Sequence, residues 1–110
     1  MQDNASQIWE SKQAQQLVEA LLSISDPKTM QNFLRDVMTE KEIIEISARL
    51  EAARMLVAGE KYTFITEKTK LSSRTVARIS DWLKNGCSGY EAALKTLNTN
   101  HSHISPVRAE

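Results

Sequence analysis

Residues 63–83 read TFITEKTKLSSRTVARISDWL, and this stretch decides the fold. Two short helical segments flank an interruption at Lys70 and Leu71. Thr63 is the expected N-cap of the first segment and Ser72 of the second. A hydroxyl at such a position accepts from an amide that the helix leaves unpaired. Ile65, Leu71, Val76 and Ile79 supply apolar contacts between the two segments, and Thr66 is fairly small where they would approach. The pattern predicts a helix-turn-helix over 63–84. Ser73, Arg74, Ala77, Arg78 and Asp81 then fall on the opposite face, free to enter a major groove. Arginine can pair bidentately with guanine, and serine can bond bases or phosphates. The candidate contacts to double-stranded DNA are Lys68, Lys70, Ser72, Ser73, Arg74, Thr75, Ala77 and Arg78. Lys70 stands where such turns often carry glycine, and a lysine reaches positive φ only at a cost. A turn built differently, or an ordinary αα-hairpin, is the competing reading.

Working outward, the same start and stop chemistry frames the other helices. A first helix is expected from Ser6 to Ser23, with Ala14, Leu17, Val18, Leu21 and Leu22 as its apolar stripe. Asp26-Pro27 reads as an N-cap followed by proline at the first helical position. The short helix it opens places Met30, Phe33, Leu34 and Val37 on one face. Thr39 to Glu42 (TEKE) is a capping-box pattern. A long helix should follow, from Glu40 to Ala58, with Ile43, Ile46, Leu50, Ala53 and Val57 as a stripe widened by Ile44 and Leu56. Gly59 sits where a left-handed terminating residue is wanted. Asn85-Gly86 ends the recognition segment, and a last helix should run from Ser88 to Leu97 with Tyr90, Ala93, Leu94 and Leu97. The remaining residues are polar and aperiodic. The expectation is one all-α domain of about six helices over 1–97, followed by a flexible tail at 98–110. The stripes on the first and third helices are too extensive for so short a chain to bury alone, which predicts a homodimer.

Charge is unevenly spread over a chain whose formal net charge is zero. Residues 1–59 hold six basic and nine acidic side chains, whereas Lys61 to Asn85 hold six basic and two acidic. A basic segment in a neutral protein points to a local polyanion site. The plainer reading is a solvated helix face. Three glycines and two prolines leave little turn chemistry for a meander of strands. Cys87 is the one cysteine, so an intrachain disulfide and a cysteine-based zinc site within one chain are excluded. The N-terminal MQDNASQIWE has no basic region followed by an apolar run, and no stretch reaches membrane-spanning length. A cytoplasmic location and no membrane contact are expected.

From about Leu17 to Leu97 the chain resembles the Trp repressor-like family, in particular its YerC/YecD branch. The carrying stretches are FLRDVMTEKEIIEISARLEAARMLVAGEKY, LSSRTVARI and LKNGCSGYEAAL. The resemblance implies an all-helical, domain-swapped dimer with interlocked N-terminal helices, and transcriptional repression by operator binding. In that family two arginines flank the indole of the corepressor, and their matches here are Arg49 and Arg78. Thr39 and Thr75 match corepressor-side positions. A glycine and a serine near that ligand are replaced by Ile79 and Trp82, both large. The possible effector pocket is therefore Thr39, Arg49, Thr75, Arg78, Ile79 and Trp82, and the replacements argue against tryptophan as its occupant.

Other chemistry is thin. His101 and His103 form a His-x-His pair in the tail, a weak metal site with two ligands, and no metal or other cofactor is expected. A redox role for Cys87 would need a depressed pKa and exposure. Trp9 and Trp82 are expected as core or interface anchors. No triad, carboxylate pair with a base, or phosphate loop is present, so no enzyme is expected. Two function classes stay open: a DNA-binding regulator, and a helical protein-interaction module without DNA binding.

Overall fold

The structure, a computed structural model, describes residues 7–108, with side chains described over 7–98. Among these residues there are six helices and no strand. They are α1 (Lys12–Ser23), α2 (Pro27–Val37), α3 (Glu40–Val57), α4 (Tyr62–Thr69), α5 (Ser73–Asn85) and α6 (Gly89–Arg108). Two compact units divide inside α3, between Ile43 and Ile44. No helix of the described residues is long and apolar enough to cross a membrane.

In the N-terminal unit, short side chains set every helix start. Ser11 accepts from the amide of Ala14 at 3.1 Å, so α1 begins at Lys12; the expected start at Ser6 lies outside the described residues. Residues 7 and 8 are helical, and a turn separates them from α1. The Gln15 amide donates to the Trp9 carbonyl oxygen at 2.7 Å and ties that turn to α1. Asp26 caps α2: one carboxylate oxygen accepts from the amide and from the hydroxyl of Thr29, each at 2.8 Å. Arg35 donates to the Met38 carbonyl oxygen at 2.9 Å and closes the other end. The capping box is reciprocal as the sequence predicts. The Thr39 amide donates to Glu42 Oε1 at 2.9 Å, and the Glu42 amide donates to Thr39 Oγ1 at 3.1 Å. No residue of α1 or α2 is buried. Leu17, Val18, Leu22 and Val37 are exposed in the single chain, and so is Trp9.

The core belongs to the C-terminal unit. Ala52, Ala53 and Met55 of α3 pack with Ile65 of α4 and with Val76 and Ile79 of α5, and all six are buried. Leu56, Leu71, Leu83, Tyr90 and Leu94 close around them. Alanines at 52 and 53 let the backbone of α3 come close to its neighbours. Much of the stripe expected on α3 lies outside this core and stays exposed in the single chain. Ile46 is 54% exposed and Val57 67%, and Ile44 is exposed as well. The buried face is rotated toward Ala52 and Met55, and Ala53 is the member of the expected stripe that it keeps. The end of α3 follows its sequence signal. Gly59 takes φ 85°, its amide donates to the Leu56 carbonyl at 3.0 Å, and the Glu60 amide donates to the Met55 carbonyl at 3.0 Å. Those two bonds make a Schellman termination.

Two further boundaries differ from expectation. Lys61 precedes α4 and offers no side-chain cap, so Thr63 lies inside the first turn instead of at the N-cap. The last helix continues from Leu97 to Arg108, through residues whose polarity suggested a tail. A backbone ladder needs no apolar stripe, and Pro106, which has no amide hydrogen to donate, stands only in the last turn. The side chains of His101 and His103 lie outside the described residues.

Candidate nucleic-acid interface

The turn between α4 and α5 is built on a lysine. Lys70 ends α4 at φ 64° and ψ 14°, the left-handed conformation that glycine usually supplies. Its amide donates to the Thr66 carbonyl oxygen at 2.9 Å. Thr69 Oγ1 donates to the Ile65 carbonyl at 2.7 Å and accepts from the Leu71 amide at 3.3 Å. The turn is thus the ordinary glycine-type geometry, imposed on a residue with a Cβ.

Ser72 then caps α5. Its oxygen accepts from the Thr75 amide at 3.1 Å, and its hydroxyl donates to Thr75 Oγ1 at 3.1 Å. Val76 and Ile79 bury one edge of α5. With 3.6 residues per turn, Ser73, Arg74, Ala77 and Arg78 lie away from that edge, and all four are exposed. Lys68, Lys70 and Ser72 are exposed at the same end of the motif. Lys68 leans over the Phe64 ring, its Nζ 5.8 Å from the centroid. Asp81 lies on this outer face too, but its carboxylate accepts from Asn85 Nδ2 at 2.9 Å, further along α5. Thr75 is half-buried and committed to the cap, which sets it apart from the exposed row.

Beside this row is a cleft of about 270 Å³, lined by Arg49, Thr75, Arg78, Ile79, Trp82 and Tyr90. Five of the six residues singled out as a possible effector pocket line the cleft; the sixth, Thr39, serves the capping box in the N-terminal unit. Arg49 is held by Glu45, with Nη2 3.3 Å from Oε2. Trp82 is 54% exposed in the single chain, so it lines the cleft and is not a core anchor there. The sequence reading missed Tyr90. Its place in the last helix's apolar stripe marked it as core, and nothing local revealed that its ring also reaches the cleft. Cys87 is exposed. Among the described residues no group of acidic, histidine or cysteine side chains is arranged to hold a metal.

Comparison with known proteins agrees with this architecture. The family model for the Trp repressor protein matches residues 12–98. The YerC protein of Bacillus subtilis (strain 168) is 34% identical over 94 residues, covering 86% of this chain and 90% of that one. A crystal structure of a TrpR-like protein from Eubacterium eligens ATCC 27750 superposes with a TM-score of 0.76 at 35% identity, covering 80% of this chain and 91% of its own. A second crystal structure, of a Trp repressor candidate from Staphylococcus aureus, gives a TM-score of 0.78 at 26% identity, with coverages of 89% and 95%.

Proposed function

The chain belongs to the Trp repressor protein family, and from that premise we propose that it is a cytoplasmic, homodimeric, DNA-binding transcriptional regulator acting as a repressor. The observation that carries this reading is the exposed row Ser73, Arg74, Ala77 and Arg78 on the helix whose other edge is buried by Val76 and Ile79. The row sits in a segment with six basic and two acidic residues. A helix so presented fits a major groove, and the lysines at 68 and 70 flank it where phosphates run. The same reading makes the chain a homodimer, since the apolar residues of α1 and of the outer face of α3 need a partner. It assigns no catalytic step and no cofactor. It also argues against tryptophan as the effector, because Ile79 and Trp82, both large, line the cleft with Arg49 and Arg78.

The test is binding of the full chain to genomic duplex fragments across a salt series. Specific complexes should form, and log K should fall linearly with log salt. Arg74→Ala should cost about 1–3 kcal/mol on the preferred duplex if Arg74 reads a base. A uniform loss over all sequences would assign Arg74 to a phosphate. No complex with any duplex at low salt would overturn the proposal in favour of a protein-interaction module.

A further inference from the structure

Lys70 is an uncomfortable residue for its position. Left-handed φ and ψ crowd a Cβ against the following carbonyl, and glycine avoids that cost. Here the surroundings leave no choice. Ile65 on one side is buried, Leu71 on the other is half-buried, and Thr69 bridges them through its hydroxyl. The Lys70 amide is fixed on the Thr66 carbonyl. The backbone conformation is therefore set by the motif, and lysine has to adopt it. Nothing within the described chain repays the lysine for doing so. Its side chain is exposed and has no ion-pair partner among the described residues. The dipole of α4 favours a cation at this end, but that effect is screened, and Lys68 already supplies it.

A strained, unpaired cation at the joint of two helices points to a task outside the fold. We propose that Lys70 is a DNA phosphate anchor, held in the left-handed region so that its ammonium lies at the mouth of the motif, two residues before the Ser72 cap. The motif gives up some stability there for sequence-independent affinity. The assignment rests on the DNA-binding reading above and adds to it a division of labour. Arg74 and Ser73 face the groove, and Lys70 fixes the depth and register of the motif on the backbone.

Lys70→Gly and Lys70→Arg separate these effects, since the first removes both strain and charge and the second keeps both. Lys70→Gly should raise the thermal midpoint by about 2–6 °C. The same variant should weaken binding to the preferred and to a random duplex alike, by about 5–10-fold per copy at 0.1 M salt. Its log K against log salt should become shallower by about one per copy in the complex. Lys70→Arg should match the wild type in midpoint, affinity and slope. Wild-type affinity and slope in Lys70→Gly would overturn the anchor while leaving the DNA-binding reading intact. An unraised midpoint would overturn the strain, and a loss in Lys70→Arg as large as in Lys70→Gly would overturn the role of charge. Failure of the wild type itself to bind any duplex would remove the anchor together with the reading it rests on.

Discussion

Gly86 packs its bare Cα against Trp82 at the end of α5. A Cβ placed there would lie 2.5 Å from the Trp82 carbonyl oxygen and 2.8 Å from Cε3 of its ring. The Gly86 amide meanwhile donates to that same carbonyl at 2.9 Å. Gly86 has φ −90°, which any residue adopts, so the requirement is one of space and not of conformation. Gly86→Ala should destabilise the fold by about 1–3 kcal/mol, as overpacking does. Gly89 has open space around its missing side chain and begins α6. Gly89→Ala should be neutral or stabilise by up to about 1 kcal/mol. Urea unfolding of the two variants checks the contrast, and equal effects would refute it.

What the sequence revealed is what local chemistry decides. Asp26, Thr39 with Glu42, Gly59 and Ser72 each act within five residues, and each caps or terminates its helix as expected. Where two local signals compete, the sequence does not choose. Ser11 opens α1 five residues after Ser6, and Lys61 precedes α4 with no side-chain bond despite Thr63 nearby. Lys70 went against propensity because its neighbours Ile65 and Leu71 are tied into the core, a tertiary fact. The cleft was half legible for the same reason. Arg78, Ile79 and Trp82 sit on one helix and Arg49 on another, but Tyr90 joins them only through packing.

Asp26 should give α2 a pH dependence. The Thr29 amide, then its hydroxyl, hold the Asp26 carboxylate below its ordinary pKa of 3.8. A carboxylate whose folded pKa is depressed adds stability that is complete above the unfolded value. That stability is lost as pH falls through the folded one. The wild type should therefore lose stability relative to Asp26→Asn on descending below pH 3.8, and the two should run parallel above it. Denaturation midpoints over an acid pH series decide this. A constant difference between the two chains down to the lowest pH would contradict it.

Leu22 is 80% exposed in the single chain, the most exposed of the large apolar residues described. A leucine facing water would accept a glutamate within about 0.5 kcal/mol. Under the homodimer reading, Leu22 is instead covered by the partner copy, and Leu22→Glu buries an unpaired charge there. Sedimentation of the wild type at micromolar concentration should show a dimer, and Leu22→Glu should shift it to monomer. A dimeric Leu22→Glu variant would take Leu22 out of the interface. A monomeric wild type would sink the homodimer itself.

Tryptophan should not bind the cleft beside α5. Arg49 and Arg78 could flank an indole, but Ile79 and Trp82 are large where the family has small residues, and they line the same cleft with Tyr90. The Trp82 ring also lies against Gly86, a residue with no room for a Cβ. Because the ring is 54% exposed, Trp82→Ser should cost less than a fully buried tryptophan would, about 1.5–2.5 kcal/mol. The fold should survive that change, which makes the variant a usable probe. Calorimetry with tryptophan should give no binding heat in the wild type. In Trp82→Ser the widened cleft should take up tryptophan weakly, and Arg78→Ala in the same background should abolish the uptake. Micromolar binding to the wild type would show that Ile79 and Trp82 do not exclude an indole. Binding in Trp82→Ser that ignores Arg78 would place the ligand elsewhere.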